Sequence, residues 1–148
     1  VWSPFAEELF CAVRGQGAYL NGRRLAVSTI ERTGDSLLVT GFAYNVKTAM
    51  GPVLERFRRC LEASQGIRRL GSAALDLCYV AAGRFEAFWE EGLHPWDVAA
   101  GHLLVTEAGG RVTDFADRPF DPQMTSILAS NGRIHDEMLT LLDLKGNA

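Results

Sequence analysis

"FEAFWEEGLHPWDVAAGHLLVTEAGGRVTDF", residues 85–115, packs a strand, a helix and a second strand into one run. "FEAFWEE" (85–91) reads as the first strand, bounded by turn residues on both sides. "WDVAAGHLLVTEAGG" (96–110) reads as a helix ended by a glycine pair, and "RVTDF" (111–115) as the strand that follows. His94 precedes Pro95 and is pushed to extended geometry, so the helix cannot start much before Trp96. The same alternation continues outward in both directions. Upstream, "SLLVTGF" (36–42) is a short, nearly continuous apolar run suited to a strand buried on both faces. "PVLERFRRCLEAS" (52–64) has apolar positions 53, 54, 57, 60 and 61 at helical spacing, with Pro52 in the first turn. "IRRL" (67–70) predicts a short strand and "SAALDLCYVAAG" (72–83) a helix ended by Gly83. Downstream, "SILASN" (126–131) and an amphipathic helix from about 133 to 143 complete the series.

This alternation over residues 36–143 predicts an α/β layer architecture. The first thirty residues have a different grammar. "ELFCAVRGQGAYLNGRRLAVS" (8–28) carries turn signals at Gly15 and Gly17 and at Asn21-Gly22. An Asn-Gly pair between apolar runs predicts a two-residue hairpin, because both central residues of a type I′ turn need φ > 0. The seam falls near "ERTGD" (31–35). Residues 1–30 are expected to be a piece of antiparallel sheet, and residues 31–148 an α/β domain. The opening "VWSPFAEELFCAV" reads as a strand end, a turn and a new strand rather than as a natural beginning. A small meander of this kind exposes an unpaired edge.

With 148 residues, 47% of them hydrophobic, the chain has enough apolar material for a real core. Its formal net charge of −3 comes from interspersed acids and bases, so no broad positive field favours nucleic acid or an anionic membrane. The arginine pairs 23-24, 58-59 and 68-69 read as solvated faces. Three cysteines, Cys11, Cys60 and Cys78, show neither CxxC nor Cys/His spacing, which argues against a disulfide framework or structural zinc and for reduced thiols in a cytoplasm. No apolar run approaches the about 18 residues a bilayer span needs.

Asp97 has two readings. As a helix N-cap it would accept hydrogen bonds from free backbone N–H groups, worth about 1 kcal/mol. As a carboxylate on a rigid helix start it could ligate a hard cation such as Mg²⁺. Glu90 and Glu91 end the strand before it, and strand alternation sends them to opposite faces. Either alone reads as an exposed strand-end charge, yet ligands gather at the carboxyl ends of strands in open α/β sheets, which raises Glu90 and Asp97 together. Gly71-Ser72 sits at a strand-to-helix turn, where Ser72 is a natural N-cap and free N–H groups could meet a phosphate or a sugar hydroxyl. Asp76, inside an apolar helix, is expected to be a satisfied structural polar residue without a catalytic role. His94 and His102 lack ligand-like spacing and are expected to be solvated or cap-bound.

"GLHPWDVAAGHLLVTEAGGRVTDF" (92–115) strongly resembles the second signature of the inositol monophosphatase family. "RRLGSAALDLCYVAAGRFEAFWE" (68–90) resembles the block before it, and the hairpin region 8–28 resembles the end of that family's first half. The likeness covers nearly the whole chain, in order. It implies a layered αβαβα fold of the sugar-phosphatase kind and Mg²⁺-dependent hydrolysis of a phosphate monoester on a polyol or sugar, inositol monophosphate foremost. Histidinol phosphate, 3′-phosphoadenosine nucleotides and fructose 1,6-bisphosphate stand as runner-up substrates. Residue by residue, it makes Asp97 a ligand of the second metal and a contact to a substrate hydroxyl, and Glu90 a hydrogen-bonding partner of the polyol. Gly71, Ser72 and Ala73 would line the substrate pocket. The family's first signature, D-P-I/L-D-G-T-x-N, and the upstream glutamate that completes its metal site are absent from this sequence. The resemblance therefore implies the C-terminal half of such an enzyme, as a truncation, an incomplete gene model or one piece of a split protein. No complete catalytic set is expected in the chain, which should be inactive alone, and the expected partner is a second copy or a complementing N-terminal half. A non-catalytic binding or assembly module is the alternative.

Overall fold

The computed structural model describes residues 1–43, 46–48 and 50–144; the last four residues of the expected second domain lie outside them. The N-terminal strands β1 (Trp2–Ser3), β2 (Glu8–Val13), β3 (Gly17–Leu20) and β4 (Arg23–Arg24) form an antiparallel sheet in that order. The Asn-Gly hairpin forms between β3 and β4, with Asn21 at φ 48° and Gly22 at φ 80°. Asn21 also pins the neighbouring turn, accepting from Leu9 N at 2.8 Å and donating to Glu7 O at 3.0 Å.

The second sheet is built from β5 (Leu37–Thr40), β6 (Gly66–Arg68), β7 (Ala87–Glu91), β8 (Arg111–Thr113) and β9 (Ser126–Ser130), in the order β6-β5-β7-β9-β8. β5 runs parallel to β6 and β7, while β9 is antiparallel to β7 and β8. Four helices complete the fold: α1 (Met50–Ala63), α2 (Ala73–Ala81), α3 (Pro95–Glu107) and α4 (His135–Leu142). Every element expected from residue 36 onward is present, and Pro52 does lie in the first turn of α1.

Strand alternation divides the core into two. Val39, Phe88, Ile127 and Ala129 face α2 and α3, where they meet Leu77, Val98 and Leu104. Leu38, Ala87, Trp89 and Leu128 face the other way, onto Cys60 of α1 and Met138 and Leu142 of α4. Phe10 and Ala18 of the first sheet are buried against the α2–α3 side, so the layers run sheet, helix pair, sheet, helix pair. These are four layers of the αβαβα arrangement, and the outer face of the first sheet carries exposed Trp2, Leu9 and Val13. β5 is buried on both faces, as its unbroken apolar run requires.

Two polar clamps fix the first sheet to the helices. Glu107, at the end of α3, accepts from Gly15 N at 2.7 Å and Gly17 N at 2.8 Å, which seats the β2–β3 turn. Arg84, after α2, pairs with Glu8 of β2. On the opposite side His135 is fully buried, its Nδ1 2.8 Å from Ser130 Oγ and its Nε2 2.9 Å from Thr113 Oγ1. Burial depresses its pKa to about 4, so it is neutral in the folded core at neutral pH.

Candidate functional site

The carboxyl ends of β5 and β7 meet the N-termini of α2 and α3 around a cavity of about 280 Å³. Its walls include all five residues singled out in the sequence: Gly71, Ser72, Ala73, Glu90 and Asp97. Each is placed there by its element. Gly71 adopts φ 101°, a left-handed value suited to glycine, and turns the chain from β6 into α2. Ser72 is the N-cap of α2, its Oγ accepting from Leu75 N at 3.4 Å, a long bond.

Asp97 caps α3 in a different way from the one expected. The N-cap is His94, with Pro95 at the first helical position, and Asp97 is the third residue of the helix. Its Oδ2 reaches back to accept from His94 N at 2.9 Å, which is the carboxylate half of a capping box. Proline tolerates the first helical position because its missing N–H would be unsatisfied there anyway. The helix therefore starts one residue earlier than Trp96, and Asp97 stiffens that start while facing the cavity.

Glu90 is buried and Glu91 partly exposed, as alternation requires. Glu91 pairs with Arg56 at 2.9 Å on the α1 side. Glu90 turns toward the cavity and needs a glycine beside it, because a Cβ on Gly41 would lie 2.1 Å from Glu90 Oε2. Burial pushes the Glu90 carboxyl up to about 7, with the nearby charge of Asp76 adding to the effect. Gly41→Ala is accordingly expected to expel the Glu90 carboxyl into more solvated space. Its titration midpoint, followed by ¹³C NMR of the side-chain carboxyl, should fall from about 7 toward the ordinary 4.5; an unmoved midpoint would show that Gly41 does not position it.

Asp76 departs from its reading as a satisfied polar residue. It is 1% exposed, lines the same cavity, and neither carboxylate oxygen has a hydrogen-bond partner among the described residues. Burial raises its pKa to about 7, opposed by the nearby charge of Arg69. The only signal in the sequence was an acid within an apolar helix, and helical spacing alone does not say which face meets a void. The histidines also differ in detail. His94 is exposed at its cap and stacks on Trp96, whereas His102 is half-buried and stacks on Phe120 with ring centroids 3.9 Å apart.

A larger groove of about 720 Å³ lies between α1, α4 and the loop after β8. Two of its acids are already paired, Glu91 with Arg56 and Asp114 with Arg118. The smaller cavity differs in holding a buried acid, Asp76, whose oxygens have no partner among the described residues, the condition that marks a place built for a ligand. Asp97 offers oxygen chemistry suited to a hard cation. Among the described residues, however, no three His, Cys, Asp or Glu side chains are placed to hold a metal ion together. The donors present do not make a complete Mg²⁺ site. No helix among the described residues is long and apolar enough to cross a membrane.

The sequence model of the inositol monophosphatase family matches residues 1–144. The chain is 46% identical over 138 residues to an inositol-1-monophosphatase of Synechocystis, covering 93% of this chain and 48% of that protein. It is 48% identical over 143 residues to the Nus factor SuhB of Escherichia coli K12, covering 94% of this chain and 52% of that one. Among solved structures, an inositol monophosphatase from Anabaena superposes with a TM-score of 0.91 at 45% identity, covering 95% of this chain and 56% of that chain. The chain thus spans about half the length of the relatives it matches.

Proposed function

Because the chain belongs to the inositol monophosphatase family, we propose that it serves Mg²⁺-dependent hydrolysis of a polyol or sugar phosphate monoester, with inositol monophosphate the preferred substrate. In this reading the chain supplies the wall that holds the polyol and one carboxylate for the metal. Glu90 accepts from a polyol hydroxyl. The turn of Gly71, Ser72 and Ala73 lines the pocket with backbone N–H groups and a hydroxyl. Asp97 stands ready as an oxygen donor to the cation and to a substrate hydroxyl. The observation that carries this reading is the meeting of these five residues, drawn from three separate stretches of sequence, in one cavity.

Mg²⁺, when bound, would supply positive charge to polarise the phosphate and activate water, with Asp97 the donor this chain offers it. The donors described above do not complete its site, and no step is assigned to it in this chain. Groups that act as a catalytic unit lose orders of magnitude in rate when part of the set is missing. The 148-residue chain with Mg²⁺ and inositol monophosphate is therefore expected to release no phosphate above the blank. Clear turnover by the purified chain, measured as released phosphate, would overturn the claim that its catalytic set is incomplete.

A second reading has its own support. The E. coli relative bears the name Nus factor, and the first sheet exposes Trp2, Leu9 and Val13, an apolar face suited to assembly with another chain. A homodimer or a complementing N-terminal half are the partners this reading expects, with no nucleic acid or membrane. Sedimentation as a monomer together with an empty pull-down would count decisively against it.

A further inference from the structure

Asp76 is an anomaly that the proposed site does not use. Its carboxyl is 1% exposed, and neither oxygen has a partner among the described residues. A buried, unsatisfied carboxylate is a marked cost to a marginally stable folded domain. Such a group in a folded chain calls for a ligand that satisfies it. Asp76 follows the N-cap Ser72 by one helical turn, its N–H donating to Ser72 O at 2.9 Å, and its side chain lines the same cavity as Glu90.

The chemistry of that ligand follows from the other walls. An ionised carboxylate only accepts hydrogen bonds and a protonated carboxyl also donates, so a ligand group able to do both, such as a hydroxyl, satisfies Asp76 in either state. Beside Asp76 a cationic donor meets the Arg69 guanidinium, whose charge acts on that carboxyl and which makes no ion pair among the described residues, so a cation is left to Asp97. The positive end of the α2 dipole adds to that. An anionic ligand group is disfavoured by three carboxyls, Asp76, Glu90 and Asp97, set against one guanidinium. What remains is a neutral donor of hydroxyls. The cavity volume, about 280 Å³, lies below the roughly 300–1,000 Å³ of sites for drug-sized ligands, which suits one sugar-sized ring better than a nucleotide.

Resting on the assignment of this cavity to the substrate, we propose that Asp76 is a second hydroxyl-reading acid beside Glu90, and that the pair makes this wall select an uncharged polyol ring and turn away a second phosphate. Asp76 reads one hydroxyl from the α2 side and Glu90 another from the end of β7. This makes Asp76 a specificity residue, separating polyol monophosphates from bisphosphates.

The test is titration of the full chain by ligand-observed NMR with two probes, myo-inositol and fructose 1,6-bisphosphate, for the native sequence, Asp76→Asn and Glu90→Gln. Spectral dispersion confirms that each variant is folded. The native chain should bind myo-inositol at least tenfold more tightly than the bisphosphate. Asp76→Asn should weaken myo-inositol binding about tenfold and narrow that preference. Loss of myo-inositol binding in Glu90→Gln with an unchanged Asp76→Asn, within twofold in both affinity and preference, would overturn the role of Asp76 and leave the cavity assignment standing. Absence of myo-inositol binding by the native chain would overturn both.

Discussion

Asp76→Asn is expected to stabilise the metal-free chain at pH 8 and to leave its stability nearly unchanged at pH 4. The carboxyl is held at about 7 in the folded protein against an ordinary 3.8, because burial penalises its charged form. The folded state therefore binds the proton more tightly than the unfolded one. Stability falls as pH rises from about 3.8 through about 7, and the whole penalty is present above that window. About three units at 1.4 kcal/mol per unit set its size on the order of 4 kcal/mol. Asparagine removes the charge and leaves an amide about as unsatisfied as the protonated carboxyl it replaces, so that cost cancels at both pH values. The net gain at pH 8 should be about 4 kcal/mol, or roughly 8–16 °C in Tm for a chain of this size. His135 has the opposite dependence, since its depressed pKa removes stability as pH falls from 6.5 toward about 4. It is common to both proteins and cancels in the difference. Thermal melts followed by circular dichroism at both pH values provide the measurement. An equal shift at pH 4 and pH 8 would refute ionisation as its source.

Gly101→Val is expected to cost about 4 kcal/mol or to prevent folding. Gly101 lies inside α3, where glycine is unfavourable by about 1 kcal/mol relative to alanine, so its presence there calls for a packing reason. A Cβ at this position would meet Leu77 Cδ1 at 2.4 Å and Leu77 Cβ at 2.5 Å. The second of these atoms is fixed to the backbone of α2 and cannot rotate away, so the helices themselves must separate. Forced core insertions of this kind cost about 1–3 kcal/mol, and valine adds further bulk. Gly101→Ala should lose about 2 kcal/mol, and Leu77→Ala should not rescue it, because alanine retains the offending Cβ. Urea denaturation provides the measurement. Native stability in Gly101→Ala would show that α2 and α3 have slack. The substitution also bears on function, because α2 carries Ser72 and Asp76 and α3 carries Asp97. Parting the helices moves opposite walls of the cavity.

The residues of this one cavity differ in how far they could be read without a structure. Glu90, Asp97 and the Gly71-Ser72 turn announced themselves by position, at a strand end and at two helix starts, where backbone geometry leaves groups free to meet a ligand. Asp76 had no such mark. Helical periodicity locates a face only when the residues around it differ in polarity, and α2 is apolar almost all round because it lies between the two sheets. An acid there could face a neighbour or a void, and only the packing of β7 and α3 around it decides.

The amino-acid sequence by itself determined the order of strands and helices, the hairpin at Asn21-Gly22, the burial of β5 on both faces and the family, since each depends on local pattern or on motifs read along the chain. It also placed Asp97 in the first turn of a helix. Tertiary structure decided that Asp97 acts at the third helical position, that Gly41 leaves room for the Glu90 carboxyl, and that Asp76 is buried without a partner beside both acids. These are relations between residues far apart in the chain, fixed by sheet order and helix contact, and no local propensity encodes a distance between them.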